Sequence, residues 1–474
     1  MSIPSFDRKD KLSIFNYSKK LIGHCLRDYT PEAIERNGKG GLGQLVEEIL
    51  FGYEVNQNPE ADFSEAGIEL KCTPLKLNKQ AGFSIKERLV CGMINYKNDW
   101  NKSFEESHFY KKCLVTLLLF YLHQKSTSRL DLKFIFSVLW KLPEKDLLII
   151  RQDYDIIIDK IRKGLAHTLS EGDTMYLGAC RKGQKGDSLM QQYASNINAP
   201  RRAWCLKTAY MRILLDEVKQ NHTNGSYTNL SLKDDGKHSE LVAMEELRNQ
   251  NFDNLIINRF TPYLKKDYVE FCKLIDREPS NSKQKYFYMA NSIAGRGQVG
   301  NINRAEEFLK AGITMKTIRV QKNGRVKESM SFENIDYDEI YECDKWYDSR
   351  LYELFSSRFL FVIFKEKEGE ISLSNGQKEQ RYVLDDVFFW TMPQEDLNNA
   401  ESFWQNIRSC VTNNMIDSHY FWKIGDKKNF HIRPKGKDSN DLDENPNGGF
   451  VKKYCYWFNS EYVEKIINCH YATL

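Results

Sequence analysis

From Gly67 to Thr73 apolar and polar residues alternate, with Ile68, Leu70 and Cys72 on one side and Glu69, Lys71 and Thr73 on the other. Successive side chains of a strand point to opposite faces, so this run predicts a half-buried strand. Glu69 and Lys71 then stand side by side on its polar face, ~6.5–7 Å apart along the backbone. Elsewhere the spacing is helical: Leu12, Phe15, Leu21, Ile22, Cys25 and Leu26 predict helix over 11–28, and Leu42, Leu45, Val46, Ile49 and Leu50 a second helix carrying Glu47. Pro31 and the cluster Asn37–Gly41 separate the two, and Gly52 is placed to end the second.

Further along, Ile85–Val90 predicts another strand and Cys113–Phe120 a buried central one, preceded by Lys111 and Lys112. Ile156, Ile157, Ile161 and Leu165 predict a helix around 150–166. Arg181-Lys182-Gly183-Gln184-Lys185-Gly186 reads as a basic glycine loop, and Arg201–Lys207 leads into a helix through Met211, Leu214 and Leu215. The polar, turn-rich stretch at 226–240 reads as a linker between a first domain at 1–225 and a second at 241–474.

At 474 residues, with 41% hydrophobic and 13% aromatic, the chain can fill more than one core. Its net charge of +4 permits a nucleic-acid partner without demanding one, since 69 basic residues nearly balance 65 acidic. Eleven scattered cysteines, with no C-x-x-C pair, predict reduced thiols and a cytoplasmic protein. The polar start predicts no signal peptide, and the apolar run Cys113–Leu122 is too short to span a membrane.

Chemistry concentrates at the alternating strand. Asp62 precedes a turn that Gly67 can open, and an acid followed by Glu69-x-Lys71 can hold a divalent cation and set an ammonium beside an attacking water. The glycine cluster before the second helix can receive phosphate. It lacks the Gly-Lys-Ser/Thr ending of a nucleotide P-loop, which argues against ATP or GTP.

The chain also repeats itself. Phe63-x-x-Ala66-Gly67-Ile68-x-x-Lys71 recurs with identical spacing as Phe308-x-x-Ala311-Gly312-Ile313-x-x-Lys316. Ile85-Lys86-Glu87 is answered by Val326-Lys327-Glu328, Asn95-Tyr96 by Asp336-Tyr337, Lys182-Gly183 by Lys435-Gly436, and Tyr210 by Tyr462. Lys112 with its apolar strand is matched to Arg358 and Phe359–Val362. The apolar face of the strand survives as Ile313 and Met315, and Lys316 remains. Glu69 becomes Thr314, Asp62 becomes Glu307, and Ala290 falls opposite Glu47. The second copy keeps the fold pattern and loses two of three candidate ligands.

The first copy resembles the mismatch-repair nicking endonucleases of the MutH family and the related GATC-cutting restriction endonucleases of the Sau type. The resemblance rests on Lys39-Gly40-Gly41-Leu42-Gly43, Glu47, Phe51-Gly52, Asp62, Gly67-Ile68-Glu69-Leu70-Lys71 and Thr73-Pro74. It continues through Lys86–Val90, Lys112, Lys182-Gly183 and Arg202–Lys207. It implies an α/β fold of the mixed-sheet PD-(D/E)XK restriction-endonuclease type, present twice in tandem. It further implies Mg²⁺-dependent hydrolysis of double-stranded DNA at 5′-GATC-3′. Glu47, Asp62 and Glu69 would hold the metal, Lys71 would orient the water or stabilise the pentavalent state, and Lys112 would assist electrostatically.

Lys39, Arg181, Lys182, Lys185 and Lys207 are the expected DNA contacts of the first copy, and Arg433 and Lys435 those of the second. The second copy is expected to bind a second site without cutting. The expected assembly is a monomer in the free state and a possible dimer on DNA. A repair nickase and a non-cleaving DNA-binding protein are the competing readings. The chain departs from the repair enzyme at Cys205, where that enzyme has tyrosine, so the resemblance does not carry over its adenine-methylation sensing.

Overall fold

The computed structural model describes residues 5–30, 41–53, 60–78, 82–182, 189–223 and 239–473. The chain packs into two compact units, Met1–His238 with Leu309–Ala311, and Ser239–Phe308 with Gly312–Leu474. The expected linker at 226–240 lies almost wholly outside the described residues.

In the first unit, α1 (Lys11–Ser18) precedes α2 (Leu42–Ile49), and strands β1 (Glu69–Asn78), β2 (Gly82–Ile85) and β3 (Leu89–Met93) follow. Next come α3 (His108–Cys113), β4 (Val115–Leu122), β5 (Phe134–Lys141) and α4 (Glu144–Arg162). The unit closes with β6 (Leu177–Arg181), β7 (Leu189–Met190), β8 (Ala199–Pro200), β9 (Arg202–Leu206) and α5 (Thr208–Thr223). The main sheet runs β2-β1-β4-β5 and is mixed, because β1 is parallel to β4 while β2 and β5 join antiparallel. A second, antiparallel sheet runs β3-β9-β6.

The alternation predicted for β1 has its cause in packing. Ile68 and Leu70 join Leu117 and Leu119 in a core closed by Ile14, Phe15, Val46 and Phe51, which leaves Glu69 and Lys71 to the other face. Three expected elements differ. The helix over 11–28 stops at Ser18 and continues only as short 3₁₀ turns, Lys19–Leu21 and Leu26–Tyr29, interrupted where Gly23 adopts φ +84°. The strand expected over Ile85–Val90 is two strands in different sheets. Ile85 ends β2 against β1, exposed Lys86 and Glu87 cross over, and Leu89 opens β3 against β9. Cys113 closes α3, and the central strand begins at Val115.

The second unit opens with helices α6 (Met244–Asn249), α7 (Phe252–Phe260), α8 (Tyr268–Leu274) and α9 (Lys285–Ala294), and with the start of α10 (Glu306–Ala311), whose last three residues group with the first unit. Strands β10 (Thr314–Val320) and β11 (Met330–Asn334), helices α11 (Tyr337–Glu342) and α12 (Arg350–Ser356), and strands β12 (Arg358–Ser372) and β13 (Lys378–Thr391) follow. Helix α13 (Gln394–Thr412), strands β14 (Phe430–Pro434), β15 (Leu442–Glu444), β16 (Phe450–Lys452) and β17 (Tyr454–Phe458), and helix α14 (Ser460–Tyr471) complete it. Its sheets, β10-β12-β13 and β11-β17-β14, repeat the order β1-β4-β5 and β3-β9-β6 of the first unit, with β2 answered only by an isolated bridge between Val320 and Val326.

The ladders give the repeat a structural register. Glu69 sits opposite Thr116 as Thr314 sits opposite Phe359, and Leu75 opposite Ile85 as Val320 opposite Val326. Helices α4 and α13 are each 19 residues long, each follows a proline, and each presents an aspartate to a buried tyrosine: Asp146 to Tyr210 and Asp396 to Tyr462. Tyr96 donates to the Pro200 carbonyl as Tyr337 does to that of Lys452. One sequence match fails. The register sets Arg358 against Val115, three residues beyond Lys112, and the Arg358 guanidinium is held by Asp253 at 3.0 and 2.5 Å. The position answering Lys112, at the end of α12, is Leu354 or Phe355 according to whether α12 is aligned from its cap or from β12, so the cation has no counterpart.

Candidate active site

Asp62 reaches the strand through a tight loop. Phe63 and Ile68 exchange backbone hydrogen bonds of 2.9 and 3.2 Å across Ser64–Gly67, and Gly67 takes φ +64°, a conformation that suits glycine. This turns the chain back so that Asp62 Oδ2 accepts the Leu70 amide at 2.9 Å, beside Glu69 and Lys71. Helix α2 is brought to the same place by aromatic packing: Phe51 and Tyr53, just past its end, meet the Phe63 ring edge-on at 4.8 and 5.2 Å. Glu47 on α2 therefore stands close enough to Asp62 and Glu69 to feel their charge.

Glu69 is the hub of the cluster. It is buried, and its Oε1 accepts Lys71 Nζ at 2.5 Å with Lys112 Nζ at 3.5 Å. Lys112 arrives on the last turn of α3, a helix capped by Ser107, whose hydroxyl accepts the Tyr110 amide at 3.0 Å. Its neighbour Lys111 is exposed, so helix rotation distinguishes two lysines that the sequence left equivalent.

The electrostatics follow from three carboxylates sharing a poorly solvated space. Burial, together with the charges of Asp62 and Glu69, pushes Glu47 up to about 7. Asp62 is raised by burial and by Glu69, against the pull of the Leu70 amide. Burial works against the Lys71 charge, but Glu69 beside it outweighs that and holds the ammonium firmly protonated.

Such a cluster suits a hard divalent cation. All three donors are carboxylate oxygens, as Mg²⁺ and Ca²⁺ prefer. Glu69 Oε2 is buried without a hydrogen-bond partner among the described residues, which leaves an oxygen able to ligate a cation. Burial first, and then the neighbouring carboxylates, raise Glu47 and Asp62, as expected of acids crowded into a poorly solvated space. With Lys71 lying on Glu69, the described residues do not gather three acid, histidine or cysteine side chains into a closed ligand set.

The expected DNA contacts are distributed less evenly. Lys182 follows β6, is exposed, and donates its backbone amide to Arg201, while Arg181 is half-buried. Lys39 and Lys185 lie outside the described residues. Lys207 is buried at the β9–α5 junction, where its ammonium donates to the Thr174 carbonyl. In the second unit Arg433 lies over the Trp457 ring at 4.7 Å and donates to His431 Nε2 at 2.8 Å and to the Ser329 hydroxyl at 3.1 Å. Lys435 Nζ donates to the Phe332 carbonyl at 3.0 Å.

One structural residue escaped the sequence reading. Asp153 lies on the buried face of α4 and accepts the amides of Met175, Tyr176 and Leu177 at 2.6, 2.6 and 2.9 Å, fixing the start of the strand that delivers Arg181 and Lys182. Its signal was an acid on the stripe of Ile149, Ile150, Ile157 and Ile161. Burial outweighs the three amides and pushes it up to about 6.

Comparison with known proteins agrees with the duplicated plan. The family described as DNA mismatch repair enzyme MutH matches residues 51–153 and, a second time, residues 299–401. The Type II restriction enzyme Sau3AI of Staphylococcus aureus is 28% identical over 503 residues, spanning 96% of this chain and 98% of that protein. The DNA mismatch repair protein MutH of Buchnera aphidicola is 24% identical over 159 residues, 34% of this chain and 70% of its own. That of Shewanella amazonensis is 25% identical over 195 residues, 40% of this chain and 83% of its own. No helix among the described residues is long and apolar enough to cross a membrane. The chain therefore carries two MutH-like domains in tandem and is similar from end to end to a Type II restriction enzyme.

Proposed function

We propose that the chain is a Mg²⁺-dependent Type II restriction endonuclease that hydrolyses double-stranded DNA at 5′-GATC-3′, with one cutting site in the first unit. The observation that carries this reading is the asymmetry between the copies. In the first, Glu69 collects Lys71 and Lys112 beside Asp62 and Glu47, the set that the resemblance to PD-(D/E)XK nucleases implies. In the second, the ladder register holds Thr314, the sequence match sets Ala290 opposite Glu47, an apolar residue stands in place of Lys112, and Glu307 is spent on the Leu241 and Val242 amides.

Glu47, Asp62 and Glu69 would hold the metal, which when bound supplies an acidified water and charge neutralisation at the phosphate. Leu70 fixes Asp62 by its amide, so that one carboxylate oxygen keeps a constant direction. Lys71 is held charged by Glu69 and stands ready to orient the nucleophile or steady the pentavalent phosphorus. Lys112 adds a second positive charge from a different element, so the pair does not depend on one strand.

The second unit, with Lys316, Arg433 and Lys435 but without counterparts of Glu47 and Glu69, is read as a non-cutting domain that binds another GATC duplex. A full-length second domain argues against a repair nickase. Cleavage of two plasmids, one with a single GATC and one with two, tests the role of that domain. Faster cutting of the two-site plasmid is expected, and equal rates would remove the effector role.

A further inference from the structure

The second copy did more than lose its acids. Lys316 occupies the register position of Lys71, and its ammonium donates to the Ser331 carbonyl at 2.7 Å and lies 4.8 Å from the centre of the Phe332 ring. Lys435 answers Lys182: each follows its strand and donates its backbone amide across to the neighbouring one, to Lys453 and Arg201 respectively. The Lys435 side chain turns inward, and its Nζ reaches the Phe332 carbonyl at 3.0 Å and Cys455 Sγ at 3.5 Å. Both ammonium groups thus meet at Phe332 of β11, one over its ring and beside the Ser331 carbonyl, the other on its carbonyl.

Neither is ion-paired among the described residues. The acid that would neutralise Lys316 is Thr314, and Glu307 is turned to the amides of Leu241 and Val242 at 3.0–3.2 Å. Burial and the neighbouring Lys435 lower Lys316 to about 8, which marks positive charge without compensation. Each ammonium has three donors, and the carbonyl contacts leave further ones for an incoming acceptor.

We propose that the silent site has become a phosphate receptor, in which Lys316 and Lys435 bind a phosphate of duplex DNA directly, without a metal ion. The proposal rests on the reading that the second unit binds DNA, and it adds how. In the first unit three carboxylates repel a phosphate until a cation bridges them. In the second two of the acids are gone, Glu307 is taken up by the Leu241 and Val242 amides, and the lysines remain, so a phosphate supplies the negative charge that Glu69 supplies beside Lys71. A phosphate contact carries no sequence information, so its loss weakens all duplexes alike.

The test uses the full-length protein and two labelled duplexes of equal length, one with GATC and one scrambled. Binding and stoichiometry are measured in EDTA and in Ca²⁺. Wild type is expected to bind one duplex per chain in EDTA and two in Ca²⁺. Lys316→Gln should weaken the EDTA-resistant binding by about ten-fold or more for both duplexes. It should also lower the salt slope by ~0.9 for the lost phosphate contact. Thr314→Glu should weaken it similarly by restoring an acid, and Lys316→Arg should preserve it. Lys316→Gln/Lys435→Gln should retain the Ca²⁺-dependent duplex of the first unit, which reports that the chain is folded.

Two duplexes in Ca²⁺ but none in EDTA would overturn the receptor while sparing the second binding site. So would an unchanged affinity and salt slope in the double variant. A wild-type chain that binds a single duplex in Ca²⁺ and none in EDTA would instead remove the second binding site, and this proposal with it.

Discussion

Replacing Glu69 by glutamine separates what this residue does for the fold from what it does for cutting. The substitution keeps the shape of a buried side chain but removes the charge on which Lys71 and Lys112 converge at 2.5 and 3.5 Å. At an effective dielectric near 20 these contacts represent roughly 7 and 5 kcal/mol of gross attraction. Most of that is offset by the cost of desolvating the groups, and breaking such a pair while leaving its cations in place costs about 3–5 kcal/mol. Lys71 and Lys112 keep about a fifth of their side-chain surface exposed, which places the expected loss at the lower end, about 3 kcal/mol. Glu69→Gln should therefore melt several degrees below wild type. Glu69→Gln/Lys71→Met, which removes one stranded cation as well, should recover part of the loss.

Cutting should behave differently, because both variants lack a metal ligand. A fall of about a thousand-fold or more is expected in each, equivalent to roughly 4 kcal/mol of barrier. Thermal denaturation in EDTA and time courses on a GATC plasmid give the two readouts. A Glu69→Gln protein that cuts at the wild-type rate would refute the ligand assignment. A double variant as unstable as the single would refute the ion-pair account.

Three further outcomes are expected. Gly67→Ala, at φ +64°, should cost about 1 kcal/mol of stability. It should slow cutting as well, because the loop it strains positions Asp62; an unaffected melting curve would contradict this. Lys112→Ala should slow cutting at least ten-fold while Lys111→Ala leaves it unchanged, since only Lys112 reaches Glu69; equal effects in a cleavage assay would count against the geometry. His431, fully buried beside Arg433, is lowered to about 4 by burial and by that guanidinium. The unfolded chain, titrating near 6.5, binds the proton first, so stability is complete above about pH 6.5 and is lost as pH falls toward 4. At about 1.36 kcal/mol per pH unit the loss is roughly 3 kcal/mol. Melting curves of wild type and His431→Asn between pH 7 and pH 4 should diverge in slope, and parallel curves would argue against a buried neutral imidazole.

The strand carrying Glu69 and Lys71 was legible in the sequence because one of its faces packs against a core, and period two records that directly. The repeat was legible for the same reason: Ile313 and Met315 must fill the core place of Ile68 and Leu70 whatever happens to the polar face. What the sequence could not show depends on rotation and direction. Lys111 and Lys112 differ by one helix position, and only the docking of α3 turns one of them inward. Lys207 looks in sequence like any other basic residue, yet the β9–α5 junction buries its ammonium on the Thr174 carbonyl. Arg358 was matched to Lys112 by charge, whereas the ladder equates it with Val115; a cation does not fix register, but hydrogen-bonded strands do. The split of Ile85–Val90 between two sheets was hidden because both halves are apolar where they meet a core.

The central claim is that one cluster, built on Glu69, cuts DNA at GATC while its copy does not. Its most direct test is the sequence of the ends produced when the purified chain digests a plasmid of known sequence in Mg²⁺. Both strands are expected to be broken, with every end at GATC and no ends at all from Glu69→Ala. Ends at other sequences, nicks confined to one strand, or cutting that survives Glu69→Ala would contradict it.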